Sequence, residues 1–439
     1  MNLFSSNPLF QLSFFLIQNK FPILISVVFF LSMSYIAFFH HLYFSEGDGI
    51  YYLINGRTIV NSNLENLTIL GAPIGGSLLF GYLENLLGDG FSIMKGISVI
   101  SGTSIVFLTY FITKNIFGSK IALFSQIFVA INPKLQYLSW SALNELLPLS
   151  LIVFSFFFLT KKELRISHLV IIGILIGLAF MIRFQFIFIF IGIIIFLLIR
   201  DKKIRLNLIH CTIIFAIFLV TISPLLLLNY YTFGDVNQVD SGYYFLVLFE
   251  YQTPEWRETV QGMQNEGLLS LITADPDLFF KNYFYNLLSN NPNRIFNFGL
   301  LDNLSILPPV PIIGFITVSI GFIAYIKPSK DRRILYPFLI SGLIALMIFL
   351  VGDINSHYFA LLFFPLVFFG IFYHNKISRN FLPLLIILLV FFFALSILPV
   401  YRSYHFLVLL IPFSILNSIF LVNVLGRITS KKNLSEKSL

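Results

Sequence analysis

Apolar runs close to the length of a bilayer crossing recur from one end of this chain to the other. A spanning helix needs ~20 predominantly apolar residues, and the runs here meet that length repeatedly. With 57% hydrophobic and 11% charged residues among 439, the fold class expected is an all-α polytopic membrane protein. About twelve transmembrane helices are predicted: 21–43, 96–114, 120–136, 146–160, 166–182, 184–199, 206–228, 304–326, 333–351, 358–374, 381–398 and 405–425. The first run is too long for a signal-peptide core and lacks a small-residue cleavage site, so it is expected to remain as an anchor.

Charge orients these spans. With a cytosolic start and alternating sides, 20 of the 28 Lys and Arg residues fall on the inner segments and 16 of the 20 acids on the outer ones. The positive-inside rule selects this arrangement. The net charge of +8 is thereby assigned to membrane orientation rather than to nucleic acid, and no nucleic-acid partner is expected. The expected organisation is 1–20 as a cytosolic or interfacial N-terminus and 21–228 as a transmembrane core with a first outer loop over 44–95. An outer-loop subdomain over 229–303, C-terminal transmembrane helices over 304–425 and a cytosolic tail over 426–439 complete it. The single cysteine, Cys211, excludes an intrachain disulfide.

The outer loops hold the residues that could carry chemistry. Glu46-Gly-Asp48-Gly-Ile-Tyr-Tyr52 follows the first span and places two carboxylates at the membrane surface, with Asn55 and Arg57 nearby. Asp48 and Tyr52 share a face if the segment is helical; the competing reading is an acid that caps the next helix. The segment from Ala72-Pro73 to Leu87 is amphipathic, with Ser77, Gly81, Glu84 and Asn85 at helical spacing, and is expected to lie as a juxtamembrane helix along the interface. Glu145 opens the fourth span, where a carboxylate without a partner is costly, or else caps that helix. Arg183 sits at a tight turn between two apolar runs and either extends to lipid headgroups or binds an anion inside the fold.

Farther on, Thr253-Pro254-Glu255 and Asp275-Pro276-Asp277 read as helix starts. The second opens an apolar, largely aromatic stripe through Phe279, Phe280, Tyr283, Phe284, Leu287 and Leu288, suited to lipid, to a cavity cover or to packing on the spans. His357, Arg402 and His405 rim the outer ends of later spans. No zinc-type His spacing, P-loop, dinucleotide fingerprint or nucleophile elbow is present. No cofactor is identified, and a divalent metal stays an open requirement.

Taken in order, Asp48-Gly-Ile-Tyr-Tyr52, the Pro73 segment ending Leu87-Gly88, Ile116-Phe-Gly-Ser-Lys120, Asn132-Pro133 through Asn144-Glu145, Gly173-Ile-Leu-Ile-Gly177 to Arg183, and Pro224 to Asn229-Tyr-Tyr-Thr-Phe-Gly234 resemble the GT-C superfamily of polytopic glycosyltransferases. The likeness is to the protein O-mannosyltransferase and aminoarabinose transferase branch. It implies a GT-C-like fold and an inverting hexosyl or pentosyl transferase. The donor would be a dolichyl-type polyprenyl-phosphate sugar, and the acceptor a lipid, glycan or protein on the extracytoplasmic face of the plasma membrane. It further implies Asp48, with Glu46 as the alternative, as catalytic base, and Glu145 and Arg183 near the donor phosphate. Tyr52, Arg57, His357, Arg402 and His405 complete the donor and substrate candidates. Where the family often has adjacent acids, this chain has Glu46-Gly-Asp48, and the usual double proline is Ala72-Pro73. Two other classes compete: a lipid-linked polysaccharide polymerase or ligase relying on Arg402 and His405, and a transporter, which would require charged or broken helices at mid-membrane and inverted halves.

Overall fold

Every regular element among the described residues is a helix. The computed structural model describes residues 18–40, 47–61, 73–200, 203–233, 276–285 and 381–395, with most positions between 407 and 422. In chain order the helices are α1 (Lys20–Tyr35), continued by a π-helical turn (Ile36–His40), α2 (Gly47–Val60), α3 (Gly75–Leu87), α4 (Gly90–Phe117), α5 (Ser119–Ala130) and α6 (Pro133–Trp140). They continue with α7 (Leu146–Leu159), α8 (Ile166–Ile182), a 3-10 turn (Phe184–Phe186), α9 (Ile187–Arg200), α10 (Ile204–Phe233), α11 (Pro276–Tyr285) and α12 (Leu382–Leu395).

Six of the first seven predicted spans coincide with an apolar helix. Lys20–His40, Gly90–Phe117 and Ile204–Tyr231 are long and apolar enough to cross a bilayer, while Ser119–Ala130, Leu146–Leu159, Ile166–Ile182 and Phe184–Arg200 are shorter apolar helices. The predicted span 381–398 appears as α12. The predicted spans 304–326, 333–351 and 358–374 lie outside the described residues, as do most of 229–303 and the 253–255 helix start.

Two helices differ from expectation for local reasons. Helix α4 begins at Gly90, six residues before the predicted span, because Asp89 caps it by accepting from the Phe91 and Ser92 N–H groups. The predicted span 120–136 divides instead: α5 stops at Ala130, and Asn132 starts α6 by accepting from Lys134 and Leu135 N–H at 3.1 Å each, with Pro133 at the first helical position. Proline there lacks only an N–H that would have had no acceptor in any case. Helix α6 then packs on α4, with Ser139 seated against Gly102.

The core is one continuous cluster of Leu, Ile, Val and Phe drawn from α1, α4 to α10 and the C-terminal helical segments. Small residues set its closest crossings. On α8, Gly173 and Gly177 face Ile217 and Thr221 of α10, leaving no room for a side chain on either glycine. Without a hydrophobic drive in lipid, such small-xxx-small faces let backbones approach and gain dispersion contacts. This crossing fixes the end of α8, where Arg183 sits.

Helix α11 starts at Pro276, as its sequence signal predicts. Its aromatic stripe is divided: Phe279 is buried and Tyr283 packs on the core, while Phe280 and Phe284 are about half exposed.

Candidate functional site

Helix α2 forms where the sequence places Asp48 and Tyr52 one turn apart, so the two residues lie on one face, with Gly56 a turn further on. That face is held close to α3. A Cβ on Gly56 would stand 2.6 Å from the Ser77 carbonyl oxygen and 2.8 Å from Gly81 Cα. One face of α3, the helix expected to lie along the interface, packs on its neighbours through Gly76, Ser77, Phe80 and Gly81, while Leu79, Tyr82, Leu86 and Leu87 are exposed. Ser77 and Gly81, two of the residues at that helical spacing, lie at the close crossing with α2. Arg57 and Glu84 fasten the pair at its rim, with Nε to Oε2 at 2.9 Å and Nη2 to Oε1 at 2.7 Å. The hydrogen bond from Arg57 holds the Glu84 carboxyl below its ordinary pKa and raises that of Arg57.

Three candidate residues from separate parts of the chain meet. Tyr52 is buried on α2, and the Arg183 guanidinium carbon lies 5.8 Å from its ring centroid, within the range of a cation–π contact. Arg183 Nη2 donates to Glu145 Oε1. Both partners are inside the protein, with side chains 15% and 6% exposed. This decides two questions the sequence left open. Glu145 stands at the N-cap position of α7 without a side-chain capping bond, so its carboxylate serves the ion pair. Arg183 turns inward to that pair.

The backbone around both charges is irregular. Arg183 ends α8 in an extended conformation before the 3-10 turn. Residues 141–145 form a non-helical stretch buried along its length. Ser98 Oγ donates to the Leu143 carbonyl at 3.1 Å, satisfying part of it. Non-helical backbone within a membrane bundle is tolerated where protein surrounds it or it lines a cavity, and a recess beside the pair is lined by Glu145, Leu149, Arg183, Gln185, Phe186, Leu407 and Val408.

Among the other candidates, Arg57 is engaged with Glu84 at the exposed rim, its side chain 62% exposed. Asp48 occupies the second position of α2. Glu46, His357, Arg402 and His405 lie outside the described residues. Among the described residues no three His, Cys, Asp or Glu side chains gather as a metal site.

Two features escape sequence reasoning. Lys95, inside α4, is buried and donates to the Ala37 carbonyl of the π-helical turn at 2.7 Å, with its ammonium 4.3 Å from the Phe91 ring centroid. A lone lysine at the start of an apolar run was the available signal. Asn144 is fully buried, and only its position next to Glu145 drew attention to it.

Residues 72–227 match a family model described as dolichyl-phosphate-mannose-protein mannosyltransferase. The apo oligosaccharyltransferase of Archaeoglobus fulgidus superposes with a TM-score of 0.50 at 14% identity, covering 95% of this chain and 52% of that one. The archaeal oligosaccharyltransferase AglB from the same organism, in complex with an inhibitory peptide and a dolichol-phosphate, gives 0.47 at 14% identity, covering 96% and 52%. ArnT from Cupriavidus metallidurans bound to undecaprenyl phosphate gives 0.44 at 13% identity, covering 92% and 78%. The chain thus spans about half the length of the oligosaccharyltransferase structures. No curated protein matches it by sequence. The fold is shared at the level of the 0.50 superposition, and the resemblance to the GT-C superfamily read from the sequence holds.

Proposed function

We propose that this polytopic chain of GT-C likeness is a membrane glycosyltransferase. It moves a sugar from a polyprenyl-phosphate donor to a hydroxyl acceptor on the extracytoplasmic face of the plasma membrane. The observation that carries the reading is the buried meeting of Tyr52, Glu145 and Arg183 beside the helix that bears Asp48. A guanidinium held inside a membrane bundle is a site for an anionic group, and the family match over 72–227 supports a lipid-linked phosphate as that group. The sixteen acids assigned to outer segments support the outer face. In the same reading 21–228 is the catalytic core, 229–303 an outer subdomain and 304–425 the helices that complete the lipid-facing side.

The transfer needs one base and one anion stabiliser. Asp48 accepts the proton of the acceptor hydroxyl as its oxygen attacks the anomeric carbon, and the bond from that carbon to the phosphate oxygen breaks. The electron pair leaves on the phosphate, which Arg183 stabilises. A phosphate leaves without a general acid, so charge stabilisation suffices. Attack opposite the leaving group inverts the anomeric centre. Glu145 neutralises Arg183 until the donor arrives and keeps the guanidinium oriented. Tyr52 supports its face.

The test compares Asp48→Asn with Glu46→Gln in single-turnover transfer from a panel of radiolabelled polyprenyl-phosphate sugars. Loss of a general base removes ~10²–10⁴-fold, and a group acting only in the transition state leaves donor binding nearly intact. Asp48→Asn is expected to bind donor and to turn over at least ~100-fold more slowly, with a smaller loss for Glu46→Gln. The reverse ranking moves the base to Glu46, and wild-type rates in both overturn the mechanism.

A further inference from the structure

Asn144 has no function in the mechanism above, yet its position is unusual. Its side chain is 0% exposed, and neither Nδ2 nor Oδ1 has a hydrogen-bond partner among the described residues. Burying an amide without partners costs more than most side chains can recover, so native proteins rarely leave one in that state without a ligand, water or ion to complete it.

The amide points at a particular place. Its Nδ2 is the atom nearest the position a Cβ on Gly76 would take, which puts it on the first turn of α3. The first N–H groups of a helix have no intrahelical acceptor, and Ile74, at the N-cap of α3, supplies no side-chain capping bond. Gly75, in the same turn, abuts the Met181 carbonyl, two residues before Arg183. Two sources of positive potential therefore meet there, the amide donor and the positive end of the α3 dipole, with Arg183, paired to Glu145, two residues beyond Met181 in the chain.

We infer that the Asn144 amide and the first turn of α3 form the second half of an anion seat opposite Arg183, taking the phosphate of a polyprenyl-phosphate sugar. The assignment rests on the donor class proposed above. It adds two elements: a neutral donor and a helix terminus, which suit a phosphodiester carrying a single charge. A side chain on Gly75 or Gly76 would strike the Met181 carbonyl or the Asn144 amide, so glycine at both positions lets that amide stand against the first turn. Asn144 is a binding residue for the phosphate and takes no proton.

The experiment measures protection of the purified full chain against thermal unfolding by polyprenyl phosphate, by the matching polyprenol and by inorganic phosphate. Wild type is expected to respond to polyprenyl phosphate and not to polyprenol. Asn144→Ala should weaken that response about tenfold in apparent affinity, the scale of one hydrogen bond to a charged group. Asn144→Asp, which puts a like charge in the same space, should weaken it by more. Gly76→Ala, which displaces the amide from the first turn, should match Asn144→Ala and serves if the aspartate variant does not fold. Wild-type affinity in Asn144→Asp or in Gly76→Ala overturns the seat alone. A wild type that ignores polyprenyl phosphate overturns the donor class and the seat with it, and equal protection by inorganic phosphate reassigns the seat to free phosphate and overturns the lipid assignment.

Discussion

Replacing Gly56 with alanine tests whether the α2–α3 crossing sets the geometry of the site. The added Cβ would stand 2.6 Å from the Ser77 carbonyl oxygen and 2.8 Å from both the nitrogen and Cα of Gly81. Ordinary contact begins at 3.4 Å, so the helices must separate by roughly 0.8 Å, and since every opposing atom is backbone, no rotamer change can absorb it. Overpacking of this kind costs about 1–3 kcal/mol. The larger effect is positional, because Gly56 shares its helical face with Tyr52 and Asp48, and a displacement near 1 Å can cost ~10²-fold in rate. We therefore expect Gly56→Ala to lower transfer turnover about 10²-fold while the protein stays folded.

Gly96 provides the matched control. It lies within α4, and a Cβ there meets only Phe38 Cζ at 4.0 Å. Alanine is the better helix former by ~1 kcal/mol, so Gly96→Ala should keep full turnover and equal or exceed wild-type stability. The assay is transfer by both variants in proteoliposomes, with thermal unfolding measured in parallel. Gly56→Ala turning over at the wild-type rate, at normal stability, would refute the argument that this crossing positions the reacting face.

Two further outcomes are expected. Because the Glu84 carboxyl titrates below its ordinary 4.5 when folded, the Arg57 pair stabilises fully above that value and is lost as pH falls through the lower folded pKa. Wild type should then show an acid-side stability loss that Glu84→Gln lacks, and its size should stay below ~1 kcal/mol because Arg57 is largely exposed; thermal unfolding against pH checks this. For orientation, single cysteines at Asn61 and Lys162 in a Cys211→Ser background, both positions being exposed, should differ in intact cells. The first should react with impermeant maleimide and the second should not, and labelling at 162 from outside would reverse the assignment of the active face.

The helices were legible because their apolar runs are long and their boundaries carry local signals. Where a local signal competed with a run, the run misled. Asn132-Pro133 is a helix start in plain sight, but Ser119 to Ile131 is apolar enough to carry a span reading across it. Glu145 and Arg183 could be recognised as charges needing partners, since burial is costly for either alone. That they partner each other across 38 residues depends on how α7 and α8 pack, which no local pattern encodes. Arg57 illustrates the opposite limit: its neighbourhood to Asp48 in sequence suggested the substrate, and its partner Glu84 is 27 residues away on the next helix. Asn144 carried no sign of its own, because an asparagine near a helix start is ordinary until its burial is known.

The pairing of Glu145 with Arg183 also bears on how the chain enters a membrane. Helices α7 and α8 are consecutive and pack together, and their two charges stand at the same end of the hairpin they form, Glu145 just before α7 and Arg183 just after α8. An ionised side chain carried singly into the apolar part of a membrane is costly. Delivered as a hairpin, the two charges can neutralise each other before either must settle among apolar neighbours. Tyr52, synthesised far earlier, lies against the guanidinium of the joined pair. The contact of α2 thus rests on the α7–α8 pair, so a chain in which α7 and α8 fail to join leaves Tyr52 without its guanidinium partner.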